Sequence, residues 1–168
     1  IRPGSGPQVM PGPHDTFAGY GLAWALTSNT PLRSTKMSSY EGGIRTPMIA
    51  HWPRVIKKGN ELTNQPGHVI DFMATCLDLA GLKYPTEFRN RHPLPLEGKS
   101  LVPILRGEKR LGHEALGWAT PRGRALIMGD WKIVRHADKL PWELYDLSTD
   151  PGETTNLAKN QPERVNEM

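Results

Sequence analysis

The chain has 168 residues, 21 Lys and Arg against 17 Asp and Glu, and a formal charge of +4. Its 17 glycines and 16 prolines make up about a fifth of the sequence, against about 12% in average proteins, and the glycines keep no three-residue period. This composition excludes a helical bundle, a coiled coil and collagen, and no run approaches the roughly 20 apolar residues that span a bilayer. The positive charges are scattered apart from Lys57-Lys58 and the stretch from Arg106 to Arg110. They read as solvated surface, so neither nucleic acid nor a membrane is expected as a partner. Cys76 is the single cysteine and cannot close an internal disulfide.

Residues 1–20 are rich in Gly and Pro without hydrophobic period and read as loop. The run LAWALTSNTPLR from 22 to 33 is ambiguous, and Pro31 ends any helix in it. IRTPMIAHW, residues 44–52, reads as a short strand starting after Pro47. The clearest helix runs from His68 to Ala80, with Val69, Phe72, Met73, Cys76, Leu79 and Ala80 on one apolar face. Asp71 favours its first turn and Gly81 stops it.

Residues 83–110 are a proline-punctuated connection in which LVPIL forms at most a short helical turn. RALIM-GD-WKIVR then reads as a β-hairpin on the two-residue loop Gly129-Asp130, with Leu126, Met128, Trp131 and Ile133 sharing a face. Trp142 to Leu147 is a further strand, Asp150-Pro151-Gly152 a turn, and a final helix follows Asn156.

Few residues carry chemistry in an informative pattern. Cys76 lies on the apolar helix face with no nearby cation in sequence and is expected as a buried structural thiol. His68 and Asp71 stand one turn apart, which suits a metal pair or simply a helix start. His14-Asp15 gives no signal, and His51 reads as a satisfied edge residue. No phosphate loop, nucleophile elbow or zinc spacing is present. The exception is Lys36-Met-Ser-Ser-Tyr40-Glu41-Gly42-Gly43-Ile-Arg45-Thr-Pro47, where a lysine precedes a glycine pair that allows close backbone approach. Lys36 offers a compact point charge for an anion, or is only a turn lysine.

The motif K-x-x-x-Y-E-G-G-x-R-x-P, followed by PGHVIDFMATCLDLAGLKYP, PLEGKSLVPILRG and GDWKIV…WELYDLSTDPGETTNLA, resembles the formylglycine-dependent sulfatases of the alkaline phosphatase superfamily. The resemblance covers residues 17–168. It implies an α/β fold: the edge of an alkaline-phosphatase-like parallel sheet, then a small antiparallel sheet with a helix (α+β). The expected organisation is a catalytic-domain edge over 1–82, a proline-rich connection over 83–110 and an antiparallel subdomain over 111–168.

The resemblance implies hydrolysis of sulfate esters on a sulfated small molecule or glycan, by a formylglycine nucleophile beside Ca2+. Lys36 matches the family lysine that contacts the sulfate, Glu41, Gly42 and Gly43 match loop-shaping positions, and Trp24 falls where related enzymes line the substrate pocket. Cys76 is not followed by the C-x-P/A-x-R pattern of a formylglycine precursor. The nucleophile and the calcium ligands are therefore expected upstream, no metal ligand is assigned here, and the chain is expected to be an inactive piece of a longer, exported (periplasmic or extracellular) enzyme. Residues 1–66 are expected to pack poorly without that remainder. Where many relatives carry an acidic-His pair, this chain has Ala119-Thr120, and Arg122 nearby reads as a surface residue. A phosphodiesterase or phosphonate hydrolase of the same superfamily, or a non-catalytic binding module, remain open alternatives.

Overall fold

The computed structural model describes residues 2–3, 14–17, 19, 21–57, 59 and 61–168. Backbone contacts gather them into two compact units, Ile1–Pro47 with Ala115–Met168, and Met48–Glu114.

In the first unit β1 (Arg2–Pro3) pairs in parallel with β2 (Thr16–Phe17). The rest of the loop expected over 1–20 falls mostly outside the described residues. The ambiguous run that follows is helix α1 (Gly21–Asn29), which ends two residues before Pro31. A single helical turn, α2 (Glu41–Ile44), holds the Glu-Gly-Gly sequence. Ser38, Ser39, Tyr40 and Glu41 are buried, and they are the only buried positions among the described residues of 1–66.

The strand expected over 44–52, whose residues from Met48 onward begin the second unit, does not form. A parallel strand needs a ladder partner and covered faces, and this segment pairs with no strand among the described residues. His51 is exposed rather than a satisfied edge residue.

Helix α3 (Asp71–Ala80) starts three residues later than His68. It ends in a left-handed Gly81 at φ 65°, with Gly81 N–H donating to Asp78 O and Leu82 N–H to Leu77 O. Its burial reverses the expectation: Asp71, Ala74 and Thr75 are inside, whereas Val69, Phe72, Met73 and Leu79 are exposed. Cys76, expected as a buried thiol, is exposed with them. Periodicity identifies a face fit for burial, but only a neighbour buries it, and among the described residues the neighbour lies on the polar side. There Thr75 Oγ1 accepts from Leu101 N–H at 2.9 Å, next to α4 (Val102–Leu105).

The first unit is completed by β3 (Leu116–Thr120), β4 (Gly123–Met128), β5 (Trp131–Arg135) and β6 (Glu143–Asp146), an antiparallel meander ordered β3-β4-β5-β6. Strand β3 has no counterpart in the sequence reading. The β4–β5 hairpin closes on Gly129-Asp130 with Met128 opposite Trp131, and Gly129 has φ 58°, as a II′ turn with glycine first requires.

Register sorts the side chains. Met128 and Trp131, and Leu126 and Ile133, pair on one face, as expected, and Leu144 joins them opposite Ile133. Arg164 of α5 (Pro162–Glu167) lies 4.1 Å over the Trp131 ring on that side. The other face carries Ala125, Val134 and Tyr145, which form the core with Tyr40, flanked by Trp118 and Leu147. Lys132, opposite Tyr145, lies on this second face and is fully buried.

Candidate functional site

The Lys36 turn is built by its backbone. Ser38 N–H donates to Thr35 O at 3.1 Å, which places Lys36 and Met37 at the two central positions of a tight turn. Met37 has φ 73° and Ser34 φ 70°, left-handed values that side chains larger than glycine rarely adopt. Lys36 is exposed at the apex.

The glycine pair explains how so strained a loop keeps its place. A Cβ on Gly42 would sit 2.5 Å from Arg33 O and collide with Ser34 O, and one on Gly43 would sit 2.7 Å from Thr35 O and collide with Ser38 O. The loop therefore lies directly on α2, with Gly42 N–H donating to Arg33 O at 2.8 Å. Asn29, at the end of α1, joins the same assembly by donating from Nδ2 to Ser34 O and Gly42 O at 3.0 and 2.7 Å. Trp24 stands on α1, 65% exposed, and no hydrogen bond or ring contact joins it to the Lys36 turn.

Glu41 anchors α2 to the sheet. Its Oε1 is 2.8 Å from Lys132 Nζ, which is 2.7 Å from Glu153 Oε1. Glu153 Oε2 accepts the Glu41 N–H at 2.7 Å. All three side chains are buried, and Glu153 adopts φ 55°. Burial raises the Glu153 pKa above its ordinary value, and the Lys132 charge opposes that shift.

A second anchor lies beside this one. Arg33 Nη1 donates to Tyr145 Oη at 2.8 Å and to Glu143 Oε2 at 3.2 Å, and its guanidinium covers the Tyr40 ring at 4.0 Å. Both tyrosine hydroxyls donate to Glu143 Oε2, at 2.9 Å from Tyr40 and 2.5 Å from Tyr145. Burial and the Glu143 carboxylate push the Tyr40 phenol up to about 12. Sequence reading missed Lys132, Glu143 and Glu153 as partners of this loop. The only available signal was strand alternation, which sets Lys132 on the face of Val134 and Tyr145.

The His68–Asp71 pair resolves as structure. Asp71 Oδ2 accepts from His68 N–H and Arg110 Nη2, both at 2.9 Å, and Oδ1 accepts from Lys99 N–H at 2.8 Å and contacts His113 Nε2 at 2.7 Å. Burial alone would raise this carboxyl, but those hydrogen bonds outweigh it and hold the pKa at about 2. Among the described residues no group of three or more His, Cys, Asp or Glu is placed to hold a metal ion. Arg122 is exposed at the β3–β4 turn.

Residues 35–167 match the family described as N-sulphoglucosamine sulphohydrolase, C-terminal. The chain is 34% identical over 163 residues to an uncharacterised sulfatase of Schizosaccharomyces pombe, covering 94% of this chain and 29% of that one. It is 30% identical to arylsulfatase K of Xenopus laevis, covering 79% of this chain and 26% of the relative. A solved structure concerned with glycosaminoglycan metabolism by Bacteroides thetaiotaomicron superposes with a TM-score of 0.61 at 27% identity, covering 79% of this chain and 29% of that one. This chain thus spans less than a third of the length of the relatives it matches. The matched segment begins one residue before Lys36 and runs through Glu41, Lys132 and Glu153, and the chain belongs to the sulfatase family.

Proposed function

We propose that this chain is the C-terminal part of a sulfuric ester hydrolase and that Lys36 binds the substrate sulfate. The observation that carries this reading is an exposed ammonium at the apex of a strained turn, whose backbone is fixed by two glycines, inside a sulfatase-family segment. A lysine there binds one sulfate oxygen as a point charge and offsets the negative charge that grows toward the leaving oxygen. A sulfated small molecule or glycan is the substrate class, and the exposed Trp24 indole offers an apolar platform for the group that bears the sulfate.

A formylglycine nucleophile and Ca2+ complete this chemistry in the family the sequence resembles. The residues here do not fit either group. Cys76 is followed by Leu77, Asp78 and Leu79, with no C-x-P/A-x-R pattern in the chain, and the described residues form no metal cluster. No step is assigned to them through this chain, whose part is to supply the lysine and the sheet that supports it.

The test is Lys36→Ala in the complete enzyme. We expect kcat/KM for a sulfate ester to fall about a hundredfold or more, with the unfolding midpoint unchanged because Lys36 is exposed. Hydrolysis at the wild-type rate would remove Lys36 from the mechanism. The 168-residue chain alone is expected to turn over no sulfate ester, and turnover above a Lys36→Ala control would overturn the division of labour.

A further inference from the structure

We propose that Lys132 and Glu153 are positioning residues for Lys36. The antiparallel sheet, through one buried cation held between two buried carboxylates, fixes the place of the turn that carries the sulfate-binding ammonium. This rests on the reading of Lys36 given above.

Stability alone is a poor reason for this cluster. Desolvating three charges is costly, and apolar replacements of buried ion pairs are often neutral or stabilising. The same sheet face already packs Ala125, Val134 and Tyr145 around Tyr40. What the charges add is direction. Lys132 Nζ meets Glu41 Oε1 at 2.8 Å and Glu153 Oε1 at 2.7 Å, and Glu153 Oε2 takes the Glu41 N–H at 2.7 Å. Glu41 is thereby held by both its backbone and its side chain, so α2 has one position and one register on the sheet. Glu153 adopts φ 55° in this arrangement, a conformation that costs a non-glycine residue about 1 kcal/mol.

From α2 the constraint passes to Lys36 through contacts that leave no room for sliding. Any Cβ at Gly42 or Gly43 would strike the carbonyls of residues 33–38, so loop and helical turn move as one body. Arg33 pins the entry of the loop to Tyr145 and Glu143, and its Nη1 also reaches Glu153 O at 3.4 Å. Lys36 lies between the two anchors. A misplacement of about 1 Å is enough to cost a reacting group about a hundredfold in rate.

The experiment uses amide exchange and selectively labelled NMR on the complete enzyme. In the triple variant Glu41→Gln, Lys132→Met, Glu153→Gln, we expect the Gly42 amide to exchange at least tenfold faster and the Lys36 amide resonance to move. The β4 and β5 amides should stay protected. A cluster that only stabilises the fold would lower the melting temperature and leave both probes unchanged well below it, which would overturn the proposal. Should the triple variant lose the sheet, Glu153→Gln alone keeps the Lys132–Glu41 pair and is judged on the same two probes. The sulfate reading fails separately: Lys36→Ala must leave Gly42 exchange untouched, and its effect is read on turnover by the complete enzyme.

Discussion

The two units each bury a charge cluster, and the clusters are built on opposite plans. In Met48–Glu114 one carboxylate, Asp71, is surrounded by donors: two backbone N–H groups, Arg110 and the His113 ring. In the other unit one ammonium, Lys132, is divided between two carboxylates. The difference shows in the pKa directions: Asp71 is pulled down to about 2, whereas Glu153 is pushed up by burial. A carboxylate saturated with donors is a staple that favours its own ionisation. Here two acids share one buried cation, with only the exposed Arg45 at 3.9 Å from Glu41 Oε2 to balance the second charge, an arrangement worth keeping only where geometry matters more than stability.

The largest predicted effect breaks the second cluster. Lys132→Met leaves Glu41 and Glu153 buried without the cation they share and should lower the unfolding free energy in urea by about 3–5 kcal/mol. Retained stability would mean that those carboxylates are solvated or protonated.

A paired test follows, because each cluster sits beside a glycine at van der Waals limit. A Cβ on Gly98 would collide with Ile70 O next to Asp71, as one on Gly42 would with Ser34 O. Gly98→Ala and Gly42→Ala should each cost about 3 kcal/mol, and only the second should move the Lys36 amide resonance.

The pH dependence separates the clusters by sign. Asp71 is lowered from 3.8 to about 2, so its contribution of about 2 kcal/mol is complete above pH 4 and is lost as pH falls toward 2. Asp71→Asn should flatten the stability curve in that window. Glu153 is raised above 4.5, so its ionisation removes stability as pH climbs past that value, and Glu153→Gln should remove that slope.

The smallest effect belongs outside both clusters. Cys76→Ser on the exposed face of α3 should change stability by about 0.5 kcal/mol or less, and the native thiol should react with a thiol reagent without unfolding. Protection of that thiol would show that the face is covered.

What was legible in the sequence was local. Gly129-Asp130 between two apolar runs encodes its turn in four residues, and the period of 68–80 encodes a helix. Which face of that helix is buried was not legible, because burial depends on neighbours, and Asp71 and Thr75 face the ones this chain supplies. Strand β3 escaped notice because Gly117, Ala119 and the following Pro121 have low strand propensity. The Lys36 turn stood out through its glycine pair, yet the reason for Glu41 was invisible: its partner Lys132 is 91 residues away. A lysine inside WKIVR reads as solvent-facing until a distant carboxylate claims it.

The meander adds its strands in chain order, so its ladder contacts are short in sequence and quick to close. The hydrogen bond from Glu41 N–H to Glu153 closes a separation of 112 residues, a slower event that needs the sheet as its template. Assembly of the sheet should therefore come first and docking of the lysine segment second. In pulse-labelling, amides of β4 and β5 should become protected before that of Glu41. In a polypeptide made from its N-terminus, the segment bearing Lys36 then waits, already synthesised, for Glu153 to emerge.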